Sequence, residues 1–482
     1  YLLNGRISLF PDVVHGAFPA TLDLVFGAAL AIGGTTASKG LGFLLFLLAI
    51  AATGELGRCM ADRSGEGEGW KAAAILATVP GVAIMASLTS VDVGMAFAAA
   101  LAWIGLLESR QVEPSEAWRP LLLSAFPLGL AAGSKYTGLY LVAALAPIVL
   151  VGPPGMPFRK RLLSACAMAG GALLICSPWY IRNAIAFGNP VYPALSAFLG
   201  GGEGGIHAME HLSRDLPKYG IGDFPALLRA LLSGTLGAGA DLGILLPFAF
   251  VSLAAIGIIR KRTLPAIAAA ALFLAMWGIG PKATRYLFPL FPLVAAGGGV
   301  ALTIAASRNR KWMAAAGVLI LAGAAFNVYR LAQVEQFLFN PRGKLVSLLK
   351  GEVSREEYLA SLLPHTAIAK WANENLPKDA VILFVGETRP LYFERTVVFA
   401  SAYDRSRLLG WISESGDGDI LTARLRREGI THVIVNGPEL ARLQKDFGYL
   451  DVPEADFRKV KAFIGKTRLL HSAGGCRLSA LP

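Results

Sequence analysis

The sequence predicts a polytopic α-helical membrane protein that ends in a small α/β domain. Three observations carry that reading. The chain is 54% hydrophobic and only 16% charged, with a mean hydropathy of +0.54, well above an ordinary soluble protein. Long apolar runs alternate with short cationic tracts. From about residue 332 onward the long runs give way to short strand-like and helical patterns.

The segment Tyr1 to Pro19 is polar and turn-rich, and begins without Met or a signal sequence, so an upstream segment is expected. Ala20 to Ile32 is apolar apart from Asp23. It is short for a hydrocarbon core of ~30 Å, which takes about 20 helical residues. It is therefore expected to lie in the interface as a juxtamembrane helix, making 1–38 a first outer loop. Apolar runs follow at about 40–57, 71–89, 92–107, 119–133, 137–152, 161–178, 240–259, 264–280, 286–306 and 312–331, giving about ten transmembrane helices across 39–331.

Loop charge sets the orientation. One alternating set of loops carries Arg58, Arg63, Lys71, Arg110, Arg119, Arg159, Lys160, Arg161, Arg260, Lys261, Arg262, Arg308, Arg310 and Lys311; the short loops of the other carry only Lys39, Lys135, Lys282 and Arg285. The first set is cytoplasmic by the positive-inside rule. Residues 1–38, Ser90 to Asp92, Ser134 to Tyr136, a large loop 180–239 and the domain 332–482 then gather on the outer face. The net charge of +12 is spread over short tracts between apolar runs, so no nucleic-acid partner is expected. Cys59, Cys166, Cys176 and Cys476 show no C-x-x-C spacing, so neither a disulfide framework nor a zinc module is expected.

In the last domain, 380–385, 396–400 and 432–435 read as buried strands, alternating with helical patterns near 364–375, 418–428 and 437–446. Gly386 opens no G-x-G-x-x-G fingerprint, and an accessory or acceptor-facing role is expected.

The stretch Ser177 to Pro193 concentrates the polar chemistry. Pro178, Pro190 and Pro193 lack a backbone N–H and Gly188-Asn189 tolerates a left-handed turn, so the helix is expected to stop here. Trp179, Tyr180 and Tyr192 are rings suited to a membrane boundary, Arg182 adds a fixed charge, and Asn183 and Asn189 add polar contacts, together a substrate rim. Asp92 opens an apolar run directly after Ser90. An ionisable residue at membrane depth is a functional candidate, although Ser90 or Asp92 acting as an N-cap would look the same. Lys135, in Gly133-Ser-Lys-Tyr-Thr-Gly138, is placed to receive a phosphate with Ser134 and Thr137 as further donors, or else to snorkel. Arg285-Tyr286, before Pro289 and Pro292, repeats the arrangement, and three cations around one mouth point to an anion. His207-Ala-Met-Glu-His211 matches H-x-x-E-H, but its glycine-rich flank and lack of a third ligand argue against a metallopeptidase. What remains is a metal or substrate contact through His207 and His211, or a solvated helical turn.

Tyr1-Leu-Leu-Asn-Gly-Arg-Ile7 with Pro11-Asp12 and Phe18-Pro19, Ser90-Val-Asp92, Ser134-Lys-Tyr-Thr137, Ser177-Pro-Trp-Tyr-Ile-Arg-Asn183 with Gly188-Asn-Pro-Val-Tyr-Pro193, and Arg285-Tyr286 with Pro289 resemble, in this order, the bacterial GT-C glycosyltransferases related to the dolichyl-phosphate-mannose protein mannosyltransferases. The likeness covers about residues 1–330. It implies a GT-C-like fold in a bacterial cytoplasmic (inner) membrane, with the active face and C-terminal domain extracytoplasmic. It also implies inverting transfer of a sugar from a polyprenyl-phosphate donor to a protein, lipid or glycan acceptor. On the resemblance, Lys135, Arg285, Arg182 and Tyr286 bind the donor phosphate, and Tyr136, Trp179, Tyr180, Asn183, Asn189 and Tyr192 line the substrate loop. Asp92 assists, through a divalent cation or by orienting the acceptor. The family's first-loop aspartate, the expected base, normally precedes the Tyr-Leu motif and so would fall before Tyr1, which leaves Asp12 and Asp23 as first-loop carboxylates.

Two other classes fit the same spans. A transporter or flippase of a lipid-linked sugar would show internal repeats, and none is visible. A non-catalytic membrane scaffold would keep the fold and lose the carboxylates. The transferase reading expects an outer-face cavity in which Asp92, Lys135 and Arg285 converge, with a lateral opening to lipid.

Overall fold

The computed structural model describes residues 14–61, 67–153, 155–201, 235–236, 240–242, 245–280, 283–308, 310–339, 344–401, 407–414, 418–449 and 453–482, with Gly205, Met209 and Pro225. The chain divides into two units, one formed mainly by Phe18–Gly201 and Leu216–Glu335, the other mainly by Gln336–Pro482. Asp12, His207 and His211 lie outside the described residues.

The first unit is helical. Helix α1 (Thr21–Met60) is one rod of 40 residues broken at Gly33 and Gly34. Gly34, at φ 64° and ψ −161°, occupies a region open to glycine alone. The run 20–32, expected as a separate interfacial helix, is therefore joined end to end with the run 40–57. The polar residues between them, Thr35, Thr36, Ser38 and Lys39, made the join read as a loop. The run 71–89 splits into α2 (Gly67–Ala77) and α3 (Pro80–Ser87), bent by 65° where Pro80 cannot donate a backbone bond. Helix α4 (Val91–Glu108) follows, then α5 (Trp118–Leu123) and α6 (Ala125–Ala132), which meet at Ser124, and α7 (Thr137–Val151).

Helix α8 (Phe158–Phe187) corrects a second expectation, since it runs straight through Pro178. The proline removes the N–H that would bond Leu174 O, and Ser177 Oγ supplies the missing donor at 2.8 Å. The helix ends instead at Gly188, in the left-handed region at φ 66°. After α9 (Ser196–Leu199) and a two-residue antiparallel ladder of β1 (Thr235–Leu236) and β2 (Ala240–Asp241) come α10 (Leu245–Ile259), α11 (Leu264–Ile279), a 3-10 segment Thr284–Leu290, α12 (Phe291–Arg308) and α13 (Arg310–Phe339).

Nine of the ten expected apolar runs are thus helical through most of their length, and the run 240–259 is helical only from Leu245, its first residues forming β2. Among the described residues, however, five helices are long and apolar enough alone to cross a membrane, six with the bent α2–α3 pair. Helix α1 packs on α4 and α2, α12 on α2 and α10, and α8 on α6 and α7. Small residues permit this closeness: a Cβ on Gly299 of α12 would stand 2.6 Å from Ala72 N of α2.

The second unit holds α14 (Lys344–Leu349), α15 (Arg355–Leu362) and α16 (His365–Asn375), followed by a sheet ordered β4-β3-β5-β7-β6. Strands β3 (Val381–Val385), β4 (Thr396–Val398) and β5 (His432–Asn436) are parallel. The hairpin of β6 (Arg468–Ala473) and β7 (Cys476–Ala480) adds antiparallel to β5. Ile382 and Phe384 pack with Ile368 and Ala372 of α16 on one face. Leu383 and Val385 face α17 (Arg407–Glu414), α18 (Gly418–Arg427) and α20 (Glu454–Lys466) on the other. Helix α19 (Gly437–Phe447) follows β5 directly. All three expected strands are present, and the hairpin is an addition.

Candidate active site

The site is built at one end of the first unit, where α4 and α7 begin. Ser90 caps α4, its Oγ accepting from Asp92 N at 3.2 Å and donating to Asp92 Oδ2 at 3.0 Å. That settles the capping alternative: the hydroxyl of Ser90 satisfies the helix start, and Asp92 Oδ1 is left for Lys135 Nζ at 2.5 Å. Their side chains are 4% and 18% exposed. Desolvating both ions is costly, so the pair needs further polar support. Ser90 provides some, and the Tyr286 ring more, its centroid lying 4.3 Å from Lys135 Nζ. Arg285 is exposed, with its guanidinium carbon 5.7 Å from the same centroid. Lys135 and Arg285 thus both approach the Tyr286 ring, and Lys135 links that ring to Asp92.

Lys135 is held by the turn between α6 and α7, which is stitched to the start of α1. Thr21 N donates to Gly133 O at 2.8 Å and Leu22 N to Ser134 Oγ at 3.2 Å. Ser134 Oγ in turn donates to Leu130 O at 2.6 Å, so its proton is committed and it is not the free phosphate donor expected of it. The same stitch brings Asp23 into electrostatic range of both Lys135 and Asp92.

A second network flanks the first through Tyr136. Its hydroxyl donates to Tyr192 O at 2.5 Å and accepts from Asn183 Nδ2 at 3.2 Å. Asn183, fully buried, accepts from Arg182 at 3.0 and 3.3 Å, while Arg182 stacks 4.9 Å over Trp179 and keeps a buried Nη1 without an acceptor. Trp179 Nε1 donates to Thr21 Oγ1 at 2.8 Å, and Tyr180 OH to Ala132 O at 2.8 Å. Trp179, Tyr180, Arg182 and Asn183 thus project from the end of α8, not from a loop. Asn189 folds the loop that follows: its side chain accepts from Val191 N and donates to Ala194 O and Gly200 O. Tyr192 stacks on Phe187, with centroids 3.9 Å apart. Thr21, the link between α1 and α8, was missed in the sequence because a threonine opening an apolar run reads only as a cap.

Asp92 is not a free ligand for a divalent cation in this arrangement. The Lys135 ammonium already takes the place a metal would need on Asp92 Oδ1, and among the described residues no group of three His, Cys, Asp or Glu side chains could hold one. What the site can do is present positive charge where α4 and α7 begin. An incoming anion would compete with Asp92 for Lys135.

No family profile and no curated protein matches this sequence. Solved structures do. ArnT from Cupriavidus metallidurans in the apo state is similar at a TM-score of 0.57 and 16% identity, over 96% of this chain and 87% of that one. The same protein bound to undecaprenyl phosphate matches at 0.57 and 16%, over 96% and 88%. The archaeal oligosaccharyltransferase AglB from Archaeoglobus fulgidus, in complex with an inhibitory peptide and a dolichol-phosphate, matches at 0.50 and 13%, over 87% of this chain and 61% of that one. At such identities the likeness is one of fold. The chain has the GT-C fold of a multi-pass membrane protein with a small mixed-sheet C-terminal domain, as the motif order implied.

Proposed function

We propose that this protein is a membrane glycosyltransferase that moves a sugar from a polyprenyl-phosphate donor to an acceptor on the extracytoplasmic face of a bacterial inner membrane. The observation that carries the reading is the ion pair of Lys135 with Asp92 over Tyr286. It is a cation held at the membrane boundary, where the phosphate of a lipid-borne donor would lie. Two proteins of the same fold are described with undecaprenyl phosphate and dolichol-phosphate bound, which supports a lipid-linked donor here.

In the proposed step the acceptor oxygen attacks the anomeric carbon from the face opposite the phosphate. The sugar–phosphate C–O bond breaks with inversion, and the electron pair leaves on the polyprenyl phosphate, where Lys135 and Arg285 offset its charge. Asp92 positions Lys135 until the donor competes for it. The acceptor proton passes to a carboxylate, and the electrostatic reach of Asp23, in the first turn of α1, to Lys135 and Asp92 supports it in that role. Arg182, with its unpartnered Nη1, extends the cationic rim.

The test is release of polyprenyl phosphate from a polyprenyl-phosphate sugar by the purified full-length protein. Release that falls by roughly 10²–10³-fold in Lys135→Met supports the assignment; release that is unaltered removes Lys135 from the donor site.

A further inference from the structure

The end of the first unit opposite Asp92 holds a second concentration of cations that the transferase reading does not use. Helix α4 carries Asp92 in its first turn and leads to Arg110 just past its last, roughly 27 Å away at helical rise. Helix α7 runs likewise from the Lys135 turn to Val151. Arg110 Nη2 donates to Ile148 O at 3.4 Å, and Arg161 Nη1 to Val151 O at 2.6 Å, so the two guanidiniums lie on carbonyls of a single helical turn. Arg161 is well served there, since its Nε also reaches Met156 O at 2.7 Å and its Nη2 Pro153 O at 3.4 Å. Arg110 is not, because its Nε is buried with no acceptor. Glu116, on the neighbouring loop, is taken by Arg119 at 2.5 Å. Among the described residues neither Arg110 nor Arg161 forms an ion pair.

Two like charges set side by side without a counter-charge repel, and burial adds a desolvation cost. Burial, and after it the Arg161 charge, hold the Arg110 guanidinium below its usual basicity. A helix C-terminus offsets part of one positive charge, which accounts for Arg161 but leaves Arg110 in excess. The surroundings say what anion would come. Val151, whose carbonyl accepts from Arg161, and Phe158, Leu162 and Leu163, within three residues of Arg161 in the chain, are exposed, so apolar surface adjoins the cations. That is the chemistry of a phospholipid, acyl chains along the helices and phosphate at their ends.

We propose that Arg110 and Arg161 form a binding site for the phosphate of an anionic phospholipid at the end of the helical unit opposite Asp92, independent of the donor site. The planar fork of Arg110 is suited to a phosphodiester.

Native mass spectrometry of the purified full-length protein tests this. The chain is titrated in detergent with phosphatidylglycerol or phosphatidylcholine of matched acyl chains, and separately with inorganic phosphate. Phosphatidylglycerol should bind at concentrations about fivefold lower than phosphatidylcholine, the effect of one arginine near an anionic headgroup. Arg110→Gln should abolish that preference, Arg159→Gln at an exposed position should keep it, and Arg110→Lys, which retains the charge without the fork, should fall between. Equal retention of both lipids by the wild type, or an unchanged preference in Arg110→Gln, overturns the site. Inorganic phosphate displacing phosphatidylglycerol at similar concentrations overturns the lipid as its source.

Discussion

Lys135 and Asp92, 43 positions apart in the chain, meet at 2.5 Å and tie the start of α4 to the turn before α7. Because the aspartate is nearly buried, removing its partner strands a charge. Lys135→Met should destabilise the protein by up to ~3 kcal/mol as well as lower turnover. The double variant Asp92→Asn/Lys135→Met restores charge balance and should recover most of the stability without recovering turnover. Thermal unfolding in detergent beside polyprenyl-phosphate release separates the two effects. Turnover that returned with stability would reduce the pair to a strut.

The Arg182–Asn183–Tyr136–Tyr192 chain predicts a second, smaller effect. Asn183→Ala removes the acceptor of two Arg182 donors and a donor to Tyr136 in a fully buried position, and should cost ~1–3 kcal/mol. Tyr136→Phe loses the bond to Tyr192 O but strands fewer groups, and should cost ~1 kcal/mol. Melting of the two single variants and their double shows whether they act as one network. Strictly additive losses would mean that they do not.

Much of this was legible in the sequence where one local signal decided the outcome. The apolar runs became helices, 380–385 and 432–435 became strands, and Asp92 and Lys135 met because each opens an apolar segment on the same side. The failures have physical causes. Pro178 reads as a helix end, yet Ser177, one residue earlier, supplies the donor that Leu174 O lacks. Gly33-Gly34 opens the stretch 33–39, whose Thr35, Thr36, Ser38 and Lys39 read as a loop between two apolar runs, so nothing marked it as a join within one helix. The β6–β7 hairpin carries Arg468 and His471 in a short irregular strand, which weakens its alternation. Its Gly474-Gly475 turn, with both residues at positive φ and Ala473 paired to Cys476, was the available signal. Asn189 and Tyr192 looked like substrate contacts because polar and aromatic loop residues serve equally well to fold the loop itself.

The break in α1 can be tested directly. A Cβ at Gly34 meets nothing within 4 Å, so any loss in Gly34→Ala comes from backbone strain alone. That loss should be ~1–3 kcal/mol, whereas Gly27→Ala, also in open space but in regular helix, should be neutral or slightly stabilising. Thermal unfolding of the two variants gives the comparison, and equal melting temperatures would contradict the break.

The last prediction concerns pH and the second unit. His365 opens α16, is fully buried, and lies 3.3 Å from Glu387 Oε2 without a hydrogen bond to either ring nitrogen. Burial pushes its imidazole below the ordinary value of 6.5, against the attraction of Glu387. Burial also opposes ionisation of Glu387, but hydrogen bonds from Arg389 and the charges of its neighbours outweigh it and hold the carboxyl below its ordinary 4.5. The two signs separate by pH. Since folded His365 binds its proton less readily than the unfolded chain does, the unit is most stable above 6.5 and weakens as pH falls toward the lower folded value. The Glu387 contribution is lost only below 4.5. Hydrogen exchange of the β3 and β5 amides should therefore accelerate between about pH 7.5 and about pH 5 beyond the intrinsic dependence. His365→Gln should flatten that slope. His432, also depressed by burial and by Arg468, acts with the same sign, so His432→Gln serves as the control. A slope that persisted in His365→Gln and vanished in His432→Gln would move the effect from the α16–β3 contact to the start of β5.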